Sequence, residues 1–196
     1  WVEQAAIAIL KKGTIPKHIG FILDGNSALL GKWVLQRLAL VIARLETFGI
    51  GKVLGVLEIT VYAFSIKNFK RSEDEVHYLM QPFWDTFMVF CDNNQFIKDN
   101  DIQVQFFGDL DCLPKDVANL ARQLMEQTMG KQKVKEFNVC CPYTSRDGMT
   151  TSIKKNVQMI QGKSGVSCES IEQHLFTSTS SPLDYSFTDI RRNSAQ

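Results

Sequence analysis

Four short runs rich in β-branched and aromatic residues, "HIGFIL" (18–23), "VLEITVYAF" (56–64), "IQVQFF" (102–107) and "EFNVCC" (136–141), are spaced along the chain with longer stretches of helical periodicity between them. The runs read as strands. Helical periodicity occupies residues 27–45, 72–98, 114–129 and 146–161, with a shorter candidate at 169–176. An opening amphipathic segment, residues 1–12, carries Val2, Ala6, Ile7 and Leu10 at helical spacing and stops at Lys11-Lys12-Gly13. Parallel strands need long crossovers, so strict alternation of strand and helix predicts an α/β fold: a parallel β-sheet surrounded by helices. Ligands in such folds bind outside the carboxyl ends of the strands, which makes the residues after each strand the ones to read for function.

The 196 residues fit one domain spanning 1–196. Hydrophobic residues at 44% and charged residues at 22% are ordinary for a globular chain, and a net charge of +1 gives no electrostatic footprint for nucleic acid. Cys91, Cys112, Cys140, Cys141 and Cys168 are an odd set without framework spacing, read as buried thiols of a reducing compartment. No apolar run reaches the ~18 residues of a membrane span, and the opening segment lacks the parts of a signal peptide. The chain is expected to be soluble or peripherally attached on the cytosolic side of a membrane. It begins with Trp1 and not Met, and the natural N-terminus is expected to lie upstream.

Three strand ends carry polar clusters. After the first run stands Asp24-Gly25-Asn26, where Gly25 and Asn26 opening a helix form a natural phosphate cradle of free N–H groups at the positive end of the dipole. Asp24 beside it suits Mg²⁺, which takes one or two carboxylates and leaves its other positions to water and phosphate oxygens. The same tripeptide also serves as a plain turn and helix cap. In "SIKNFKRS" (65–72), Asn68, Lys70 and Arg71 can reach an anion, or the segment is a solvated cap with Ser72 ahead of Glu73 and Glu75. Gly108-Asp109 reads as a turn. His18, His77 and His174 have no metal-ligand spacing, and no Cys-x-x-Cys, Gly-x-Ser-x-Gly or Walker loop is present. Met80, Phe83, Trp84, Phe87 and Met88 mark a helix face that belongs to the core or lines a pocket for a long hydrocarbon.

"IPKHIGFILDGN", "VLEITVYAFSIKNFKRS", "FFGDLDCLPKD" and "EFNVCCPYTSR", in this order, resemble the cis-prenyltransferase family (undecaprenyl diphosphate synthase-like), and within it the eukaryotic dolichol-synthesising branch. The resemblance runs nearly the whole length of the chain. It implies condensation of isopentenyl diphosphate with an allylic diphosphate such as farnesyl diphosphate, giving long Z-polyprenyl diphosphates, with Mg²⁺ as cofactor. By position, Asp24 matches the family's catalytic, Mg²⁺-handling aspartate, and Gly25 and Asn26 match its neighbours in the allylic diphosphate site. Ser65, Asn68 and Arg71 match the residues that hold and align substrate. The resemblance also implies a homologous second subunit, as a heteromer or homodimer, and peripheral residence on the cytosolic face of the endoplasmic reticulum membrane. No nucleic-acid partner is implied.

The chain departs from the family pattern at defined places. Ser27 and Ala28 stand where the family has two diphosphate-gripping arginines. A hydrogen bond to a charged group is worth roughly 1.5–3 kcal/mol, so losing both costs about 3–6 kcal/mol, on the order of 10²–10⁴ in affinity or rate. Lys67 replaces a glutamate, and "LALVIARL" replaces a Gly-His pair. At the end, "RRNSAQ" resembles the beginning of the family's Arg-Thr-Ser-Gly-Glu segment, which sets Arg192 and Ser194 against its Arg and Ser; by this resemblance the C-terminal part of the domain is expected to be incomplete. Two functions follow as expectations: a polyprenyl diphosphate synthase, or a catalytically impaired member serving as a structural or regulatory subunit or persisting as a degenerate product.

Overall fold

The computed structural model describes residues 15–22, 55–92, 97, 101–130, 135–159 and 167–188. Strands β1 (His18–Ile22), β2 (Glu58–Tyr62), β3 (Ile102–Phe107), β4 (Lys135–Cys140) and β5 (Tyr185–Thr188) form one sheet in the order β3-β4-β2-β1-β5. Every neighbouring pair is parallel. Helix α1 (Glu73–Asp92) lies between β2 and β3, α2 (Lys115–Thr128) between β3 and β4, and α3 (Ser145–Met159) and α4 (Cys168–Gln173) between β4 and β5. The parallel sheet and its helices are those expected from the alternation of the sequence.

Local chemistry sets the helix ends. Ser72 Oγ accepts from Glu75 N while the Glu75 carboxylate accepts from Ser72 N, both at 3.4 Å, so α1 starts one residue later than the periodicity suggests. Ser167 and Ser170 satisfy each other's amides in the same way at the start of α4.

Alternate residues of a strand point to opposite faces, and the register sorts them. On one face Val61, Phe137, Val139, Val104 and Phe106 meet Met80 of α1 and Val117, Ala121 and Leu124 of α2 in the buried apolar core. Each fully buried side chain of this kind contributes about 1.5–3 kcal/mol. Across the other face Gly20, Thr60, Asn138 and Gln105 lie in register, a polar row. Residues 177–184 cover it. There Ser180 and Ser181 donate their hydroxyls to the buried Glu58 carboxylate, and Thr179 Oγ1 donates to Gln105 Oε1 at 2.9 Å. Asp184 then caps β1, accepting from Lys17 N at 2.6 Å and His18 N at 3.0 Å. Gly20 lies close beneath this cover: a Cβ there would stand 2.9 Å from Leu183 Cδ2, the tip of an exposed side chain that would have to turn aside.

Some expectations are corrected. A fifth strand, β5, follows the loop-like "TSTSSP"; its four residues are too few to announce a period. Among the described thiols all are free, but only Cys140 and Cys141 are buried; Cys112, which ends the 3₁₀ turn Leu110–Cys112, and Cys168, the first residue of α4, are exposed. The expected helices at 1–12 and 27–45 lie outside the described residues. Among the described residues no helix is long and apolar enough to cross a membrane.

Candidate functional site

β2 and β4 are neighbours at the centre of the sheet, and the segments leaving their carboxyl ends are tied together. Ala63 N and Phe64 N both donate to Cys140 O at 3.1 and 3.2 Å, and Tyr143 N donates to Phe64 O at 3.0 Å. On the outer side Cys141 N donates to Phe107 O at 3.0 Å, which brings the end of β3 into the same ledge. Gly108 makes this approach possible: at φ +147° it lies so close to Pro142 that a Cβ would be 2.0 Å from the Pro142 carbonyl oxygen.

A cleft of about 690 Å³ opens above the ledge. One wall is the 3₁₀ turn Ile66–Lys70, which supplies Lys67 and Lys70, with Ser65 at its entrance. Ser65 forms this turn by accepting from Lys67 N at 3.2 Å. The other wall is the start of α3, with Tyr143, Thr144, Ser145, Arg146 and Asp147. Thr144 Oγ1 accepts from Asp147 N at 3.2 Å and its carbonyl takes Gly148 N at 3.0 Å, which makes Thr144 the cap of α3. Tyr62 joins the walls: its hydroxyl donates to Tyr143 O at 2.9 Å, and the two rings meet edge to face at 6.2 Å. Burial, with Cys140 and Tyr62 nearby, pushes the Tyr143 phenol above its ordinary value, so it remains a neutral donor at physiological pH.

Among the described residues lining the cleft, Lys67, Lys70 and Arg146 stand against the single carboxylate of Asp147, so this lining carries an excess of positive charge. None of the three cations forms an ion pair with another described residue. Such a cleft is built for an anion with several oxygens. Among the described residues no group of three or more His, Cys, Asp or Glu is placed to hold a metal ion.

Of the residues singled out in the sequence, Ser65 lines the cleft with Lys70, while Asn68 and Arg71 lie in and just beyond the same 3₁₀ turn without lining it. Asn68 O accepts from Arg71 N at 3.1 Å, which closes the turn. Ser72 caps α1, so the capping reading of "SIKNFKRS" holds for its last residue. Gly108-Asp109 is the expected turn, with Asp109 Oδ1 accepting from Asp111 N at 3.1 Å. Asp24, Gly25, Asn26 and Arg192 lie outside the described residues. Sequence reasoning passed over Tyr62 and the whole α3 wall. The signal for the latter was a strand followed by "PYTSRD", in which Thr144 and Asp147 have the spacing of a helix start.

Comparison with known proteins agrees with this geometry. Residues 41–187 match the prenyltransferase family model described as "Putative undecaprenyl diphosphate synthase". The chain is 34% identical to the human dehydrodolichyl diphosphate synthase complex subunit DHDDS over 78% of its own length and 47% of that protein's. It is 32% identical to the dehydrodolichyl diphosphate synthase complex subunit SPAC4D7.04c of Schizosaccharomyces pombe, over 89% of this chain and 67% of that one. The chain thus spans about half the length of its human relative. In fold it is similar to lavandulyl diphosphate synthase from Lavandula x intermedia, with a TM-score of 0.69 at 22% identity over 83% of this chain and 72% of that one. A probable undecaprenyl diphosphate synthase from Campylobacter jejuni also superposes at a TM-score of 0.69, at 20% identity over 92% of this chain and 78% of that one. A parallel sheet with an anion-suited cleft at its carboxyl edge, and a family match covering three quarters of the chain, lead to one assignment: this protein belongs to the undecaprenyl diphosphate synthase-like family of cis-prenyltransferases.

Proposed function

We propose that the chain is a polyprenyl diphosphate synthase, transferring an allylic chain such as farnesyl from its diphosphate to isopentenyl diphosphate and so building a Z-polyprenyl diphosphate of the kind used for dolichol. The observation that carries this reading is the cation-rich cleft at the carboxyl ends of β2 and β4, in a member of this family. Breaking the allylic C–O bond leaves extra negative charge on the departing diphosphate. Fixed cations and hydroxyl donors that meet this charge stabilise the transition state more than the ground state. Ser65 and Lys70 line that cleft, and Asn68 and Arg71 hold the turn that presents them.

In this reading Asp24, with Gly25 and Asn26, completes the allylic site, and Arg192 reaches the second diphosphate. Mg²⁺ at Asp24 would neutralise diphosphate charge, with the substrate's own oxygens as its remaining ligands. The human and fission-yeast relatives are named as subunits of a complex, which supports a homologous second subunit for this chain. Peripheral residence on the cytosolic face of the endoplasmic reticulum membrane, with residues 1–12 as the contact, belongs to the same proposal.

A ligand that binds only the folded state raises its melting temperature. Farnesyl diphosphate is therefore expected to raise the melting temperature of the purified chain, and the rise to be larger with Mg²⁺ than with a chelator. An unchanged melting temperature at millimolar ligand would count against the substrate site.

A further inference from the structure

The α3 wall of the cleft contributes a cation, Arg146, that none of the motif residues after β1 and β2 supplies. Arg146 is the second residue of α3, is exposed, lines the cleft, and forms no ion pair with another described residue. Its carbonyl is taken by Thr150 Oγ1 at 2.8 Å, which fixes the backbone from which the guanidinium projects. Lys67 stands on the opposite wall, held by the Ser65 cap at its own amide. Two cations on separate elements lining one cleft of about 690 Å³ suit a ligand that carries charge on more than one group. A single phosphate offers one charged group, whereas a diphosphate offers two, one for a cation on each wall.

We propose that Arg146 and Lys67 form a diphosphate clamp across this cleft, with Arg146 a specificity-determining binding residue that selects diphosphate over monophosphate. The inference rests on the synthase reading and adds to it the α3 wall as a binding element. A planar guanidinium offers paired N–H donors to two oxygens at once, whereas the Lys67 ammonium acts as a point charge. Asp147, the carboxylate of the cleft, opposes anions in general and so sharpens the dependence on having both cations in place.

The test is isothermal titration of the chain with inorganic pyrophosphate, inorganic phosphate and farnesyl diphosphate, comparing wild type with Arg146→Ala, Arg146→Lys and Lys67→Glu. Both positions are exposed, and melting curves establish that each variant is folded. Arg146→Ala is expected to weaken pyrophosphate and farnesyl diphosphate by about 10- to 100-fold and inorganic phosphate by much less. Arg146→Lys should recover part of the loss, and Lys67→Glu should weaken both diphosphates as well. Wild-type binding with unchanged affinity in Arg146→Ala would overturn the clamp and leave the synthase reading standing. An equal loss for phosphate and pyrophosphate would overturn the diphosphate selectivity. No binding of either diphosphate by the wild type would overturn the clamp and the synthase reading together.

Discussion

Asn138 Nδ2 donates to Glu58 Oε1 at 2.6 Å, joining the middle of β4 to the first residue of β2 beneath the sheet. The same nitrogen is 3.2 Å from Thr60 Oγ1, and His18 Nε2 lies 2.8 Å from that hydroxyl on its other side. Ser180 and Ser181 complete the carboxylate's partners from the covering segment. This network fastens residues 177–184, and with them β5, to the face of the sheet opposite the apolar core.

Glu58→Gln places amide hydrogens against existing donors and should destabilise the chain by about 1–3 kcal/mol at neutral pH. Burial pushes the Glu58 carboxyl up, but the Ser180 and Ser181 hydroxyls, the Ser181 amide and His18 outweigh it and hold it below its ordinary value. A carboxyl lowered on folding contributes stability above its unfolded value, and that stability is lost as pH falls through the folded one. Denaturant midpoints from pH 3 to pH 7 should therefore show the gap between wild type and Glu58→Gln closing towards the acid end. A gap of constant size would show that the carboxylate charge does not matter.

Gly108→Ala should cost roughly 2–4 kcal/mol, because it adds strain at φ +147° and drives a Cβ into the Pro142 carbonyl. Urea unfolding reads this directly. Since the ledge beneath the cleft depends on the same approach, pyrophosphate affinity should fall in whatever fraction remains folded.

Gly148 lies in the first turn of α3 with helical geometry, and a Cβ there would meet Phe176 Cδ2 at 3.5 Å and Tyr143 Cε2 at 3.6 Å, ordinary contact distances. Alanine removes backbone freedom from the unfolded chain without a clash. Gly148→Ala is expected to stabilise by about 0.5–1 kcal/mol, raising Tm by roughly 1–4 °C. A lowered Tm would mean that the space beside Tyr143 is smaller than these distances indicate.

Thiol labelling should follow burial first and thiolate content second. Cys140 and Cys141 are buried and Cys140 is pushed up to about 12 by that burial, so both should resist iodoacetamide in the native protein. Cys112 is exposed, yet partial burial, its hydrogen bond to Asp109 and the nearby carboxylates push it up to about 11. Its labelling should accelerate about tenfold per pH unit between pH 7 and pH 10, as the thiolate fraction does. Peptide mass spectrometry after timed labelling would separate the sites; early modification of Cys141 would contradict the packing of the ledge.

The sheet was legible because its strands are concentrated apolar runs and its helices long periodic ones. β5 was not, since "YSFT" owes its pairing to the neighbouring β1 and to the cap from Asp184, contacts remote in sequence. The polar residues after β2 were visible as a cluster, and Ser65 and Lys70 do reach the cleft. Arg146 was hidden for a geometric reason: it comes from a different crossover, and only the adjacency of β2 and β4 brings it opposite Lys67. Asp24, which the resemblance makes the central residue, was read from its position after a strand, and that role remains part of the proposal.

The most direct measurement is incorporation of labelled isopentenyl diphosphate into long-chain product, with farnesyl diphosphate and Mg²⁺, in the presence and absence of a homologous second subunit. Incorporation by the wild-type chain that is abolished in Asp24→Ala is the predicted result, and it would show that Ser27 and Ala28 are tolerated in place of arginines. No incorporation by folded, soluble protein under either condition would contradict the synthase reading and leave the chain a family member with a structural or regulatory part to play.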